Sequence, residues 1–264
     1  MNYKLKDKIA FISGSTSGIG FAIAKMLAGE GANVIINGRT KERLNQAIKK
    51  ISDIYPNAKV TGIVADFKDV NSINQLISEL GAIDILINNV GIFTSQFFNT
   101  TTDEDWYNMF EVNVMSGVRL SRALLPGMLQ NNWGRIIFVS SECAMLVPED
   151  LIAYSTTKAA LLSISRGLAQ TTKGTKVTVN SVVPGSTLSE GAKRFLKDQA
   201  EKDQISEKEV ADNFFKNVRT TSLLERFTTP EEIANAVVFL SSPLSSATNG
   251  ATIKLEGGSV PGIL

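Results

Sequence analysis

Apolar runs of four to seven residues return along the chain with helix-patterned segments between them, and this alternation limits the possible folds more than any other feature. Lys8 to Ser13 reads as a strand, and Ala22 to Leu27 repeats on a helical period directly after it. Further strands read at Asn33 to Asn37, Lys59 to Ala65, Ile83 to Asn88, Gly134 to Ser141, Lys176 to Val182 and Ala251 to Leu255. About seven strands with helices interleaved imply a mostly parallel sheet covered on both faces, the doubly wound α/β architecture. No Pro- or Gly-rich linker, repeat or low-complexity tract divides residues 1–264, so one domain is expected.

One segment breaks the alternation. Between the sixth strand and a last helix at Pro230 to Leu240, residues Gly191 to Thr221 carry seven basic and six acidic side chains. Near-cancelling charge suits a solvated helical surface. The position, after the carboxyl end of a parallel strand where open α/β sheets bind ligands, favours a helical substrate lid over residues 186–221. Phe195, Leu196, Phe214 and Phe215 are the apolar residues expected to close over a ligand.

The first strand runs into Ser13-Gly14-Ser15-Thr16-Ser17-Gly18-Ile19-Gly20 and then a helix. Glycines at such a turn let the backbone approach a pyrophosphate, which then sits at the positive end of the helix dipole. Gly14, Ser15, Ser17, Gly18, Ile19 and Gly20 are therefore candidate cofactor contacts. The position at the end of the second strand that supplies a carboxylate to a ribose 2′-OH in NAD-binding folds holds Gly38, and Arg39 follows. An uncharged residue followed by a guanidinium suits a 2′-phosphate, so NADP(H) is favoured over NAD(H).

The chain contains no histidine. That excludes a Ser-His-Asp or Cys-His nucleophile, an HExxH zinc site and an imidazole base, and no metal site is expected. Proton transfer must then fall to another group. Tyr154-Ser155-Thr156-Thr157-Lys158 places a phenol and an amine four apart, on one face of a helix running on to Gln170. A second such pair, Tyr55 and Lys59, encloses Pro56 and Asn57 in a turn and is set aside as structural. An ammonium about 4 Å from the Tyr154 hydroxyl would favour the phenolate by about 4 kcal/mol at an effective dielectric near 20, which brings the phenol toward neutral pH. Ser141 ends the fifth strand where a substrate oxygen could meet its hydroxyl, with Ser140 the neighbouring alternative.

The turn G-x3-G-x-G, the Tyr-x3-Lys pair, Asn88-Asn89-Val90-Gly91 after the fourth strand, Asn113 in a long helix from Thr102, and Pro184-Gly185-Ser186-Thr187 after the sixth strand occur together. The combination resembles the short-chain dehydrogenase/reductase family from the first strand to Gly257-Gly258. That resemblance implies a Rossmann fold and a catalytic set of Asn113, Ser141, Tyr154 and Lys158. Tyr154 would be the general acid/base and Ser141 would polarise a carbonyl. Lys158 would contact the nicotinamide ribose, and Asn113 would hold a water that relays protons. It also implies that Asp66 and Phe67 lie at the adenine, Asn89 and Gly91 at the adenosine ribose, and Pro184, Gly185 and Thr187 at the nicotinamide end. Val90 replaces the usual alanine. Residues Met128 to Trp133 lack the basic side chains usual in acyl-carrier-protein reductases of the family.

The expectation is an NADP(H)-dependent oxidoreductase interconverting a ketone and a secondary alcohol. A 3-oxoacyl-(acyl-carrier-protein) reductase-like enzyme and a non-catalytic NAD(P)-binding regulator are the alternatives. A net charge of +1 offers no basic excess for nucleic acid or an acidic membrane. The single cysteine, Cys143, forms no intrachain disulfide and reads as a small apolar filler. The residues from Met1 to Lys6 lack a signal-peptide core, and no apolar stretch spans a bilayer, so a cytoplasmic protein is expected. The resemblance further implies a homodimer or homotetramer built on the Thr102 to Asn131 helix and the helix of Tyr154.

Overall fold

The computed structural model describes residues 2–262; positions 1, 263 and 264 of the expected domain lie outside the described residues. Seven parallel strands form one sheet in the order β3-β2-β1-β4-β5-β6-β7. They are β1 (Ile9–Ile12), β2 (Asn33–Gly38), β3 (Val60–Val64), β4 (Ile85–Asn88), β5 (Gly134–Val139), β6 (Val177–Pro184) and β7 (Thr252–Leu255). The chain winds outward from β1 through β2 to β3, then returns to lay β4 against the other side of β1. That reversal opens a crevice at the carboxyl ends of β1 and β4, the place where such sheets take ligands.

Alternation along the central strands builds two cores. Ala10, Ile12, Ile36, Ile85, Ile87 and Ile137 point to one face and meet α1 (Gly18–Gly29), α2 (Lys41–Ile54) and α9 (Pro230–Ser241). Phe11, Leu86, Ile136 and Phe138 point to the other, against α3 (Val70–Glu79), α5 (Ser116–Gln130) and α6 (Ile152–Thr171). Strands buried on both faces read as continuous apolar runs, which is why they are visible in the sequence.

Two expectations are corrected. The helix expected from Thr102 to Asn131 is interrupted: α4 (Asp103–Phe110) passes into a π-helical turn at Glu111–Met115 before α5. All three stretches have helical side-chain spacing, so their periodicity conceals the widened turn. The fifth strand stops at Val139, so Ser141 lies beyond the ladder and caps a short 3-10 turn at Glu142–Ala144.

The charge-dense segment forms α7 (Glu190–Asp203) and α8 (Glu207–Asn217), capped by Ser189 and Ser206. Leu196 lines a cavity of about 620 Å³ with Leu188, Ala211 and Phe227. Leu196, Ala200 and Val210 make a small core of their own; Phe214 stacks on Phe227 at 5.2 Å between ring centres, and Phe215 meets the same ring edge-on at 5.0 Å. Only Phe195 of the four expected closing residues is largely exposed, at 47%. A helical pair projecting from the sheet edge must bury apolar surface within itself to stay folded.

Candidate active site

The Gly14–Gly20 turn is built around a close backbone approach. A β-carbon on Gly20 would stand 2.5 Å from Asn89 Nδ2 and 2.6 Å from the Gly14 carbonyl oxygen. Asn89 Nδ2 donates to the carbonyls of Ser13 and Gly14 at 3.0 and 2.9 Å, so this candidate ribose contact also clamps the turn. Ser15 is buried, with its hydroxyl donating to Ile12 O at 2.7 Å and accepting from Asn37 N at 2.9 Å. Its side chain is used within the protein, and its amide donates to Asn37 O at 2.9 Å.

Ser17, at the cap position of α1, makes no side-chain cap hydrogen bond, unlike Thr40 on α2 and Asp69 on α3. The first amides of α1, at Gly18, Ile19 and Gly20, have no partner within the helix. An uncapped helix start behind a glycine turn suits a pyrophosphate, so the residues present fit a dinucleotide.

Gly38 closes β2, and a β-carbon there would stand 2.5 Å from Thr16 Cγ2. A larger residue at this position would have to displace the Thr16 side chain. Arg39 is exposed and makes no hydrogen bond or ion pair among the described residues. Asp66 follows β3 and accepts from Lys68 N at 3.0 Å. Phe67 turns its side chain into the core.

The four candidate catalytic residues meet at the carboxyl edge of β4 and β5. Asn113 sits in the π-helical turn and is 1% exposed. Its Oδ1 accepts from Ile92 N at 2.7 Å, and its Nδ2 donates to Ile92 O at 2.9 Å and to Thr157 Oγ1 at 3.0 Å. Thr157 Oγ1 in turn donates to Tyr154 O at 2.7 Å, which joins the widened turn to α6.

Lys158 Nζ donates to Val139 O at 3.1 Å, lies 5.6 Å from the centre of the Tyr154 ring, and would stand 3.1 Å from a β-carbon at Gly91. Of the two serines, Ser140 is buried and donates to Lys158 O at 2.8 Å, whereas the Ser141 hydroxyl lies beside the Tyr154 phenol. The alternation argument for a single facing serine resolves to Ser141.

The electrostatic expectation for the pair is corrected. Burial pushes the Tyr154 phenol above its ordinary value, and Cys143 and Glu142 add to the rise against the opposing Ser141 hydroxyl. Lys158 is pushed down to about 8, mainly by burial. The amine is turned to the Val139 carbonyl, and in so enclosed a site desolvation outweighs the attraction between the two groups.

Pro184 ends β6, Gly185 N donates to Leu255 O at 3.1 Å, and Thr187 Oγ1 donates to Gly185 O at 2.9 Å. The set-aside Tyr55 closes α2 and packs its ring on Gly29. Burial pushes the Cys143 thiol up, which suits a filler and not a nucleophile.

Three neighbours of the site escape sequence reasoning. Phe93 lies 5.8 Å from the Tyr154 ring, and Arg219 Nε donates to Glu142 Oε1 at 2.9 Å. Glu142 had a visible signal, a carboxylate directly after the candidate serine; Phe93 and Arg219 reach the site only through tertiary structure.

A doubly wound parallel sheet with a glycine turn at its reversal and a Tyr-x3-Lys helix beside it defines a dehydrogenase/reductase fold. Residues 8–200 match the family described as short chain dehydrogenase. The chain belongs to the short-chain dehydrogenase/reductase family and is an oxidoreductase. It is 45% identical over 260 residues to the uncharacterized oxidoreductase YvaG of Bacillus subtilis, covering 98% of each chain. It is 33% identical to the 3-oxoacyl-(acyl-carrier-protein) reductase FabG of Aquifex aeolicus, covering 98% of this chain and 99% of that one. The solved L-sorbose reductase of Gluconobacter frateurii, complexed with NADPH and L-sorbose, superposes with a TM-score of 0.93 at 30% identity over the whole of both chains. No helix among the described residues is long and apolar enough to cross a membrane.

Proposed function

We propose that the protein is an NADP(H)-dependent reductase/dehydrogenase interconverting a ketone and a secondary alcohol, with Tyr154 as general acid/base. The observation that carries this reading is the convergence of Ser141, Tyr154 and Lys158 beside the uncapped start of α1, in a chain without histidine. Gly14, Ser15, Ser17, Gly18, Ile19 and Gly20 would hold the pyrophosphate, Asn89 and Gly91 the adenosine ribose, and Asp66 and the Phe67 backbone the adenine. Pro184, Gly185 and Thr187 would line the nicotinamide end. The dinucleotide supplies or accepts a hydride at nicotinamide C4 when bound.

Ser141 donates to the carbonyl oxygen and holds it toward Tyr154. In reduction the substrate carbon gains the hydride, its oxygen gains the Tyr154 hydroxyl proton, and a secondary alcohol forms. The phenolate left on Tyr154 takes a proton back from solvent, and oxidation runs the same steps in reverse. Lys158, when protonated, stabilises that phenolate. Asn113 holds the Ile92 backbone and Thr157, and through them the position of Tyr154, and would hold the water that relays protons.

The absence of a carboxylate at Gly38 and the unpaired Arg39 support NADP(H) over NAD(H). The ketose in the sorbose reductase complex is the kind of carbonyl the reading requires. FabG relatives favour 3-oxoacyl substrates as the second reading, against which stand the uncharged residues Met128 to Trp133. Tyr107 and Phe110 are exposed at 74% and 41% on α4, which supports a homodimer or homotetramer joined through the α4–α5 stretch and α6. The deciding experiment is a panel of ketones and secondary alcohols with NADPH, NADH and their oxidised forms. Turnover with the phosphorylated cofactor is expected, and binding without turnover across the panel would support the regulator instead.

A further inference from the structure

The cavity at the lid helices has a volume of about 620 Å³, within the range of small-molecule sites, and its lining includes no candidate cofactor or catalytic residue. Its floor is apolar. Leu188 comes from the turn after β6, Leu196 from α7, Ala211 from α8 and Phe227 from the segment ahead of α9. Leu188, Ala211 and Phe227 pack at the edge of the small lid core and stay only half-buried, so apolar surface is left in contact with water.

The rim is basic. Lys193, Arg194 and Lys197 on α7 and Lys208 on α8 border the cavity, against one acidic lining residue, Glu207. Helical spacing sets Lys193 one turn from Leu196 and Lys197, and Lys208 one turn from Ala211, so the cations stand beside the apolar floor. Lys197 is paired with Glu201 at 3.9 Å and Lys208 with Asp212 at 2.6 Å. Lys193 and Arg194 make no ion pair or hydrogen bond among the described residues, and Glu231, the acid that senses Lys193, is paired with Lys25 at 2.8 Å. Two unpaired cations over a half-wet apolar floor complement an anion carried on an aliphatic chain. A bare anion would leave the floor in water, and a neutral chain would gain nothing from the guanidinium fork, which matches a carboxylate.

We propose that the cavity between α7 and α8 is a second binding site, for a fatty carboxylate, outside the reaction cleft. The aliphatic chain lies on Leu188, Leu196, Ala211 and Phe227, and the carboxylate meets Arg194 and Lys193 at the rim. Such a ligand touches α7, α8 and the segment ahead of α9 at once. No step of the proposed reaction passes through it.

The test is calorimetric titration of the full chain, with and without NADPH, using butanoate, hexanoate and octanoate, with octanol as the uncharged chain and inorganic phosphate as the chainless anion. Affinity should rise by at least about threefold for each two methylenes added, a fully buried methylene giving roughly fourfold. Octanoate should bind at least about tenfold more tightly than octanol, the effect of one charge-assisted hydrogen bond. Lys193→Ala with Arg194→Ala should bring octanoate down to the octanol level, and Ala211→Phe, which fills the cavity, should abolish binding of both. Thermal melts report whether each variant is folded; if Ala211→Phe is not, the exposed Lys193 and Arg194 pair still decides through the octanoate-to-octanol ratio. No binding of octanoate at millimolar concentration, equal affinities for octanoate and octanol, octanoate binding that survives in folded Ala211→Phe, or displacement of octanoate by NADPH or by equimolar phosphate would overturn the site. None of these readouts depends on turnover, so failure here is distinct from failure of the reductase reading.

Discussion

Lys158 Nζ stands 5.6 Å from the centre of the Tyr154 ring and gives a hydrogen bond to the Val139 carbonyl at 3.1 Å. The amine thus reaches the end of β5 as well as the face of the tyrosine, in a setting where burial lowers it to about 8.

This depression has a sign that can be measured. The unfolded chain binds the Lys158 proton up to about pH 10.5 and the folded chain only to about 8. The cost of the buried cation is therefore full below about pH 8 and fades as pH rises toward 10.5, amounting to on the order of 3 kcal/mol. Lys158→Met should raise the Tm of the cofactor-free protein at pH 7, with a gain that shrinks as the pH approaches 10. Thermal melts across that range decide it, and a pH-independent loss would contradict the assignment. Carbonyl reduction by the native protein should also decline as pH rises through about 8, where Lys158 loses the charge that supports a developing phenolate.

Much of this was legible in the sequence, unevenly. The strands were visible because both sheet faces are covered, and Gly14 to Gly20 because a turn with so close a backbone approach restricts side chains severely. Ser141 was separated from Ser140 by the family resemblance alone, because alternation leaves the choice open until the end of β5 is known. The rise of the Tyr154 phenol depends on enclosure by distant segments, which spacing along a helix cannot report. Arg219 is 77 residues from Glu142, and no local pattern links them.

The Gly20 approach predicts a coupled loss. Gly20→Ala places a methyl against Asn89 Nδ2 and the Gly14 carbonyl, so the turn must open. Overpacking of this kind costs about 1–3 kcal/mol. NADPH affinity should fall by more than about tenfold with it, because the amides of the turn lose their alignment. Calorimetric titration and a denaturant melt measure the two effects, and unchanged cofactor affinity would remove the turn from the site.

Arg39 should affect only the phosphorylated cofactor. Charge-assisted hydrogen bonds contribute about 1.5–3 kcal/mol, so Arg39→Ala should lower kcat/KM for NADPH by roughly ten- to a hundredfold and leave NADH nearly unchanged. Equal effects on both cofactors would mean that the guanidinium serves the surface alone.

The central claim is that Tyr154 carries the proton. Tyr154→Phe keeps the ring beside Phe93 and removes only the hydroxyl, so the fold and cofactor binding should survive. On the best ketone found for the native protein, saturated with NADPH, kcat should fall by at least about a hundredfold, the low end for lost acid/base catalysis. A kcat within a few fold of the native value would contradict the account.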